Sequence, residues 1–96
     1  MGYYSDFHVE DTDIVGVKEV LENYSDPYGW ESYDHLPYLH AKWYDWLKDL
    51  KELARDYPDN FLIIVRYGEE MPDMSRAVVK GGQVVEQQPT IVWPDL

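Results

Sequence analysis

The chain has 96 residues, no cysteine and a formal net charge of −11, which indicates one domain without disulfides or thiolate metal sites. Nineteen acids against eight bases argue against direct contact with nucleic acid or an anionic membrane surface, because Lys and Arg supply most of the affinity for both. No stretch is apolar over the length of a bilayer, and the first residues lack the features of a signal peptide. We therefore expect a soluble cytoplasmic protein whose charge favours a basic partner.

The first quarter of the chain predicts a strand followed by a short helix. Residues 3–10 alternate apolar and polar side chains, which is the period of a half-buried strand. Thr12 or Asp13 can cap a following helix, and Pro27 ends it because the residue before a proline avoids helical angles. The helix would present one apolar stripe, made of Ile14, Val17, Leu21 and Tyr24.

The middle of the chain predicts a second, longer helix. Leu39 to Trp43 is compatible with a short strand, and Asp45 is a suitable N-cap for the helix that follows. Pro58 marks its end. Acids and bases alternate on the polar face, as is typical of a solvated surface. The apolar stripe consists of Trp46, Leu50, Leu53 and Tyr57.

The last part of the chain predicts strands. Phe61 to Tyr67 is apolar at successive positions, which favours a strand covered on both faces. Gly81-Gly82 between Arg76–Lys80 and Gln83–Gln87 indicates a two-residue hairpin that pairs Val79 with Val84 and Val78 with Val85. Thr90 to Trp93 would add an edge strand.

These elements predict a single α+β domain over residues 1–96. We expect an antiparallel sheet of four or five strands with two helices packed on one face. Both sheet faces are apolar in the hairpin, so the face opposite the helices also needs a cover. The segment Tyr28–Tyr38 and a second copy of the chain are the two candidates.

Five short motifs are spread over most of the chain: Met1-Gly2-Tyr3-Tyr4, Ala41-Lys42-Trp43-Tyr44-Asp45, Tyr57-Pro58-Asp59, Gly68-Glu69-Glu70 and Lys80-Gly81-Gly82. In these motifs the chain resembles a loose group of small uncharacterised proteins of tailed phages and of bacteria, notably actinobacteria. The resemblance implies the same element order and a phage origin. It implies no activity, cofactor or catalytic residue.

Candidate catalytic and metal-binding patterns are weak. The histidines His8, His35 and His40 do not have the spacing of zinc ligands. The acids Glu69, Glu70 and Asp73 cluster on a predicted turn, but the turn lacks the ligand pattern of a calcium loop, and a solvated acidic turn or a contact with a partner explains them better. No serine has the context of a nucleophile, and no glycine-rich loop joins a strand to a helix. We expect no enzymatic activity, no metal and no cofactor.

The density of aromatic residues is the most distinctive feature, since eight lie between Tyr24 and Trp46. Four of them fall in an aperiodic stretch, where they either fold back over the sheet or form an interface with a partner. Our hypothesis is that they bind a host or viral protein that presents an apolar pocket ringed by Lys or Arg. The proposed partner-binding residues are Asp26, Tyr28, Trp30, Glu31, Tyr33, Asp34 and Tyr38.

Two alternative functions stay open. The chain could mimic nucleic acid and inhibit a DNA-binding protein, which the net charge of −11 favours, although the helices carry mixed charges. It could also be a homo-oligomeric structural or accessory protein that pairs through Thr90–Trp93 or through the uncovered sheet face.

Overall fold

A computed structural model describes residues 4–25, 29–32, 36–69 and 73–88. These residues form a five-stranded antiparallel sheet and two helices, which confirms the predicted α+β class. The strands lie in the order β2-β1-β3-β4-β5. No helix in these ranges is long and apolar enough to cross a membrane. The elements are β1 (Ser5–Thr12), α1 (Val17–Tyr24), β2 (Tyr38–Ala41), α2 (Trp46–Asp56), β3 (Phe61–Tyr67), β4 (Met74–Lys80) and β5 (Gln83–Gln87).

The β4–β5 hairpin has the predicted turn and register. Gly81 and Gly82 have φ values of 62° and 77°, and glycine adopts positive φ angles without the steric cost that a side chain adds. Val79 pairs with Val84, and Val78 pairs with Val85. The register places these two pairs on opposite faces of the sheet. The predicted strand Thr90–Trp93 lies outside the described residues.

Both helices pack on one face of the sheet. The apolar stripe of α2 faces β4 and β5, and α1 packs against α2. Alternate residues of the strands point toward the helices, so the core forms a single cluster between the two layers. Its fully buried members include Phe7, Leu21, Leu39, Leu50, Leu53, Leu62, Ile64, Ala77 and Val79.

The start of α1 differs from the prediction. The helix begins at Val17, with Gly16 as its N-cap at a φ of 68°. Thr12 and Asp13 do not cap it, because both bind the start of β3. The Thr12 hydroxyl donates to the Phe61 carbonyl at 2.7 Å, and the Asp13 carboxylate accepts from the Phe61 amide at 2.9 Å. The Phe61 bond holds the pKa of Asp13 below its usual value.

The start of α2 was predicted correctly. Asp45 occupies the N-cap position, although its side chain makes no capping hydrogen bond. The carboxylate of Asp49, in the first turn, instead accepts a hydrogen bond from Trp43 Nε1 at 2.7 Å. This bond satisfies the indole of Trp43 where the ring enters the core, and it ties the chain after β2 to the helix.

A hydrogen bond between Tyr24 and Asp56 joins the ends of the two helices and makes stability depend on pH. The Tyr24 hydroxyl donates to the Asp56 carboxylate, which raises the pKa of Tyr24 from 10.0 to about 12. The folded state therefore keeps a proton that the unfolded chain loses. We expect the free energy of unfolding to fall between pH 10 and 12, and to fall less steeply in Tyr24→Phe. Urea unfolding at several pH values measures both slopes, and identical slopes would contradict this role of Tyr24.

Candidate binding face

The strand register aligns side chains in rows on the face opposite the helices. One row crosses all five strands through Tyr38, His8, Val65, Arg76 and Gln87. No helix or strand among the described residues covers these rows, because α1 and α2 both lie on the other side. We call this side of the sheet the open face. Its neighbouring row consists of His40, Asp6, Tyr67 and Met74.

Five rings cluster on the β2–β1–β3 half of the open face. Tyr4 stacks on His40 with ring centroids 4.9 Å apart and an interplanar angle of 7°. His8 stacks on Tyr38 at 6.0 Å and meets Tyr67 edge-on at 5.6 Å. Such offset-stacked and edge-on pairs are the arrangements that aromatic quadrupoles favour. We call this cluster the aromatic patch.

Three carboxylates at the edge of the aromatic patch bind patch residues. Glu31 accepts a hydrogen bond from the Tyr38 hydroxyl at 2.6 Å, and Asp6 lies 2.5 Å from Nδ1 of His40. A carboxylate only accepts, so Nδ1 of His40 is the donor. Glu69, in the turn after β3, accepts from the backbone amide of Tyr4 at 2.5 Å. The patch therefore combines ordered rings with negative charge at its rim.

The rings are held in place but stay accessible on the described part of the protein. Tyr4 is 42% exposed and Tyr67 is 41% exposed, which is high for large apolar side chains. Lys42 places Nζ 4.9 Å from the centroid of the Tyr4 ring. The face of at least one patch ring thus attracts a cation in the free protein.

The structure separates the residues of the predicted binding surface. Trp30 is 3% exposed and packs in the core on the helix side, edge-on against Trp43 at a centroid distance of 5.9 Å. Trp30 is therefore neither an exposed partner contact nor a cover of the uncovered sheet face, because it packs in the core between the sheet and the helices. Tyr38 and Glu31 lie together at the edge of the aromatic patch. The other members, Asp26, Tyr28, Tyr33 and Asp34, lie outside the described residues.

The suspected cover of the open face is also partly corrected. Glu31 and Tyr38 exchange two backbone hydrogen bonds of 2.9 Å, which hold the chain beside the edge of β2. From there Trp30 turns toward the helices, where its Nε1 donates to Ser25 Oγ at 3.0 Å. The indole consequently adds to the helix-side core and does not cover the open face.

The acidic turn after β3 has structural roles at its two described acids. Glu69 binds the amide of Tyr4, and Asp73 pairs with Arg66 at 2.6 Å. Within the described ranges, no three His, Asp or Glu side chains converge as metal ligands. Glu70 and His35 lie outside those ranges.

A groove adjoins the aromatic patch on the same face. It encloses about 780 Å³ and crosses β1, β3, β4 and β5. Its wall toward the patch contains His8 and Tyr67, and Val65 lies in its floor with 4% exposure. The remaining lining residues are Val9, Glu10, Met74, Ser75, Arg76, Gln87 and Gln88.

Sequence reasoning missed most of the aromatic patch. The alternation of β1 does place Tyr4, Asp6 and His8 on its polar side, and this pattern was visible in the sequence. The pairing of His8 with Tyr38 and Val65 depends on register across three strands that are far apart in the chain. No local pattern encodes that register.

Comparison with protein-family models, with curated proteins and with solved structures finds no match for this chain. The fold and the site therefore assign the protein to a general structural class only. This class is that of α+β domains in which helices cover one face of the sheet and the other face is open. The functional interpretation therefore depends on the chemistry of the open face.

Proposed function

We propose that this chain is a small, phage-encoded protein-binding module that uses the aromatic patch to bind a host or viral protein with a basic surface. One observation carries the proposal: five rings lie side by side on the open face, with carboxylates at their rim. Four of these rings come from β1, β2 and β3, and the fifth belongs to Tyr4, the residue before β1. The phage origin comes from the sequence resemblance alone.

Tyrosine and histidine rings suit a contact surface because they offer a large area and few rotatable bonds. In the patch, the stacking partners and the carboxylates already restrict the rings, as for Tyr38 between His8 and Glu31. Binding a partner therefore costs less side-chain entropy at these rings than it would at mobile side chains. The patch is consequently pre-organised for binding.

The charge around the rings favours a cationic partner. Asp6, Glu31 and Glu69 contact patch residues directly, and the whole chain carries a net charge of −11. Tyrosine faces attract guanidinium and ammonium groups, as the contact of Lys42 with Tyr4 illustrates. An Arg-rich or Lys-rich protein surface therefore meets both an attractive field and ring faces.

Affinity capture with matched variants tests this function. Tyr4→Ala and Tyr67→Ala remove exposed rings without changing the net charge, so they distinguish the patch from bulk electrostatics. Tyr44→Ala is the control, because Tyr44 is 66% exposed but lies in the turn before α2. We expect a protein retained by the wild type and by Tyr44→Ala to bind each patch variant at least about tenfold more weakly, as for interface hot spots.

Two charge variants test whether the negative charge must lie at the patch. Glu31→Gln at the patch and Glu52→Gln on the exposed side of α2 remove the same charge from different places. The first should weaken binding of the purified partner more than the second, because Glu31 contacts the patch residue Tyr38 and its charge therefore lies at the rim of the patch. Equal affinities of the wild type, Tyr4→Ala and Tyr67→Ala would refute the proposed function.

A further inference from the structure

Strand β5 forms one edge of the sheet, and its residues are exposed there. The strand order places β4 on one side of β5 and no strand of the described ranges on the other. Val85, at the middle of β5, is 53% exposed, which is high for a branched apolar side chain. Gln83, Glu86 and Gln87 are exposed as well. The outer edge of β5 is therefore accessible to another chain.

The register of the hairpin determines which backbone groups point outward along this edge. The two-residue loop is flanked by Lys80 and Gln83, and such a flanking pair exchanges both of its backbone hydrogen bonds. Every second residue of β5, counted from Gln83, therefore bonds to β4. The backbone amides and carbonyls of Val84 and Glu86 consequently point away from β4. An edge with such groups is a template for an additional strand.

The sequence of β5 suits a second copy of the same strand. It reads Gln-Val-Val-Glu-Gln, which is the same in both directions except at Val84 and Glu86. When two copies pair antiparallel about Val85, this residue lies opposite itself, and Gln83 lies opposite Gln87 of the second copy. Val84 then exchanges backbone hydrogen bonds with Glu86 of the second copy. The pairing thus uses the outward backbone groups and matches amide side chains with each other.

We infer that two copies of this chain associate through the outer edge of β5 and form one continuous antiparallel sheet, in which all five strands of each copy take part. The two-fold axis passes between the two Val85 residues, perpendicular to the sheet. Both aromatic patches then lie on the same side of the dimer, with the two copies of β1 about 34 Å apart across seven strand spacings. The pairing itself does not depend on the proposed function.

The size and charge of the edge predict a weak dimer that salt strengthens. Five paired residues per copy bury much less area than a stable interface does, so we expect a dissociation constant of about 10 µM to 1 mM. Each copy carries a net charge of −11, and the two Glu86 side chains lie diagonally across the new pair, so like charges oppose association. Added salt screens this repulsion. Binding of a cationic partner at the aromatic patch weakens with salt instead.

Sedimentation equilibrium of the full chain tests the inference over about 10 µM to 1 mM protein. We expect the wild type to change from monomer to dimer in this range, with more dimer at high salt. Val85→Lys places two like charges at the symmetry axis and should weaken association at least about tenfold. Val15→Lys is the matched control, because it changes the net charge equally at a site that is 95% exposed and lies before α1.

A single introduced thiol locates the interface. The chain has no cysteine, so Val85→Cys carries only one. Val85 would form a non-hydrogen-bonded pair with itself, and the Cβ atoms of such a pair are close enough for a disulfide. With oxidised glutathione as the oxidant, Val85→Cys should form a covalent dimer at least about tenfold faster than Val15→Cys, whose thiols meet only by collision.

Three results would overturn this inference. They are a monomer at every concentration, a dimer that Val85→Lys leaves intact, and equal rates of cross-linking in the two cysteine variants. Circular dichroism verifies that each variant is folded, so a lost dimer is not mistaken for a lost fold. None of these results bears on Tyr4→Ala and Tyr67→Ala, which test the proposed function separately.

Discussion

Replacing Trp30 with alanine is expected to destabilise the protein by about 3–5 kcal/mol, as for other large aromatic residues removed from a core. Trp30 is 3% exposed, and its ring packs against Trp43. The substitution removes these contacts, leaves a cavity and deletes the hydrogen bond to Ser25. Because small domains are stable by only about 5–15 kcal/mol, the loss is large enough to populate unfolded chains. Urea unfolding followed by circular dichroism measures it.

Trp30→Phe is the matched control for this prediction. It retains an aromatic ring but cannot donate to Ser25 Oγ, so we expect a loss of roughly half that of Trp30→Ala or less. A loss below about 1 kcal/mol in Trp30→Ala, typical of surface positions, would contradict the structural role of Trp30. With that result, Trp30 would again be a candidate partner-binding residue.

The second large effect is expected at Arg66, which lies on the helix side of β3. Its guanidinium donates to Asp73 at 2.6 Å, to Ser5 Oγ at 3.0 Å and to Ser75 Oγ at 3.3 Å. Ser75 is 1% exposed, so its hydroxyl has little access to water as a replacement partner. We expect Arg66→Ala to lower the free energy of unfolding by about 2–3 kcal/mol.

The geometry of the guanidinium provides the control. Arg66→Lys keeps the charge but not the planar fork that binds Asp73 and both serines at once, so it should recover only part of the loss. A double-mutant cycle with Asp73→Ala separates the ion pair from the serine contacts. Wild-type stability in Arg66→Ala would show that the network contributes nothing.

Local patterns were sufficient to predict most of the fold. The Gly81-Gly82 turn determines the hairpin register by its loop length, and the continuous apolar run of β3 reflects its place inside the sheet. The start of α1 was predicted wrongly because Thr12 and Asp13 bind Phe61, which lies about fifty residues further along the chain. Such long-range contacts override capping propensity.

The candidate site was much harder to predict than the fold. The aromatic and acidic character of Tyr38 and Glu31 predicts them as surface residues, yet His8, on which Tyr38 stacks, comes from another strand. Trp30 lies in a segment without periodicity, so no local pattern indicates to which face its side chain points. Composition predicts a binding surface, whereas the strand register determines which rings form the aromatic patch.

Mapping the identified partner on the isotope-labelled protein by NMR tests the proposed function most directly. We predict that partner binding perturbs the resonances of Tyr4, His8, Tyr38, His40 and Tyr67, and that those of α1 and the exposed side of α2 stay unchanged. Perturbations confined to the helices, with an unperturbed patch, would contradict the assignment of the open face as the binding surface.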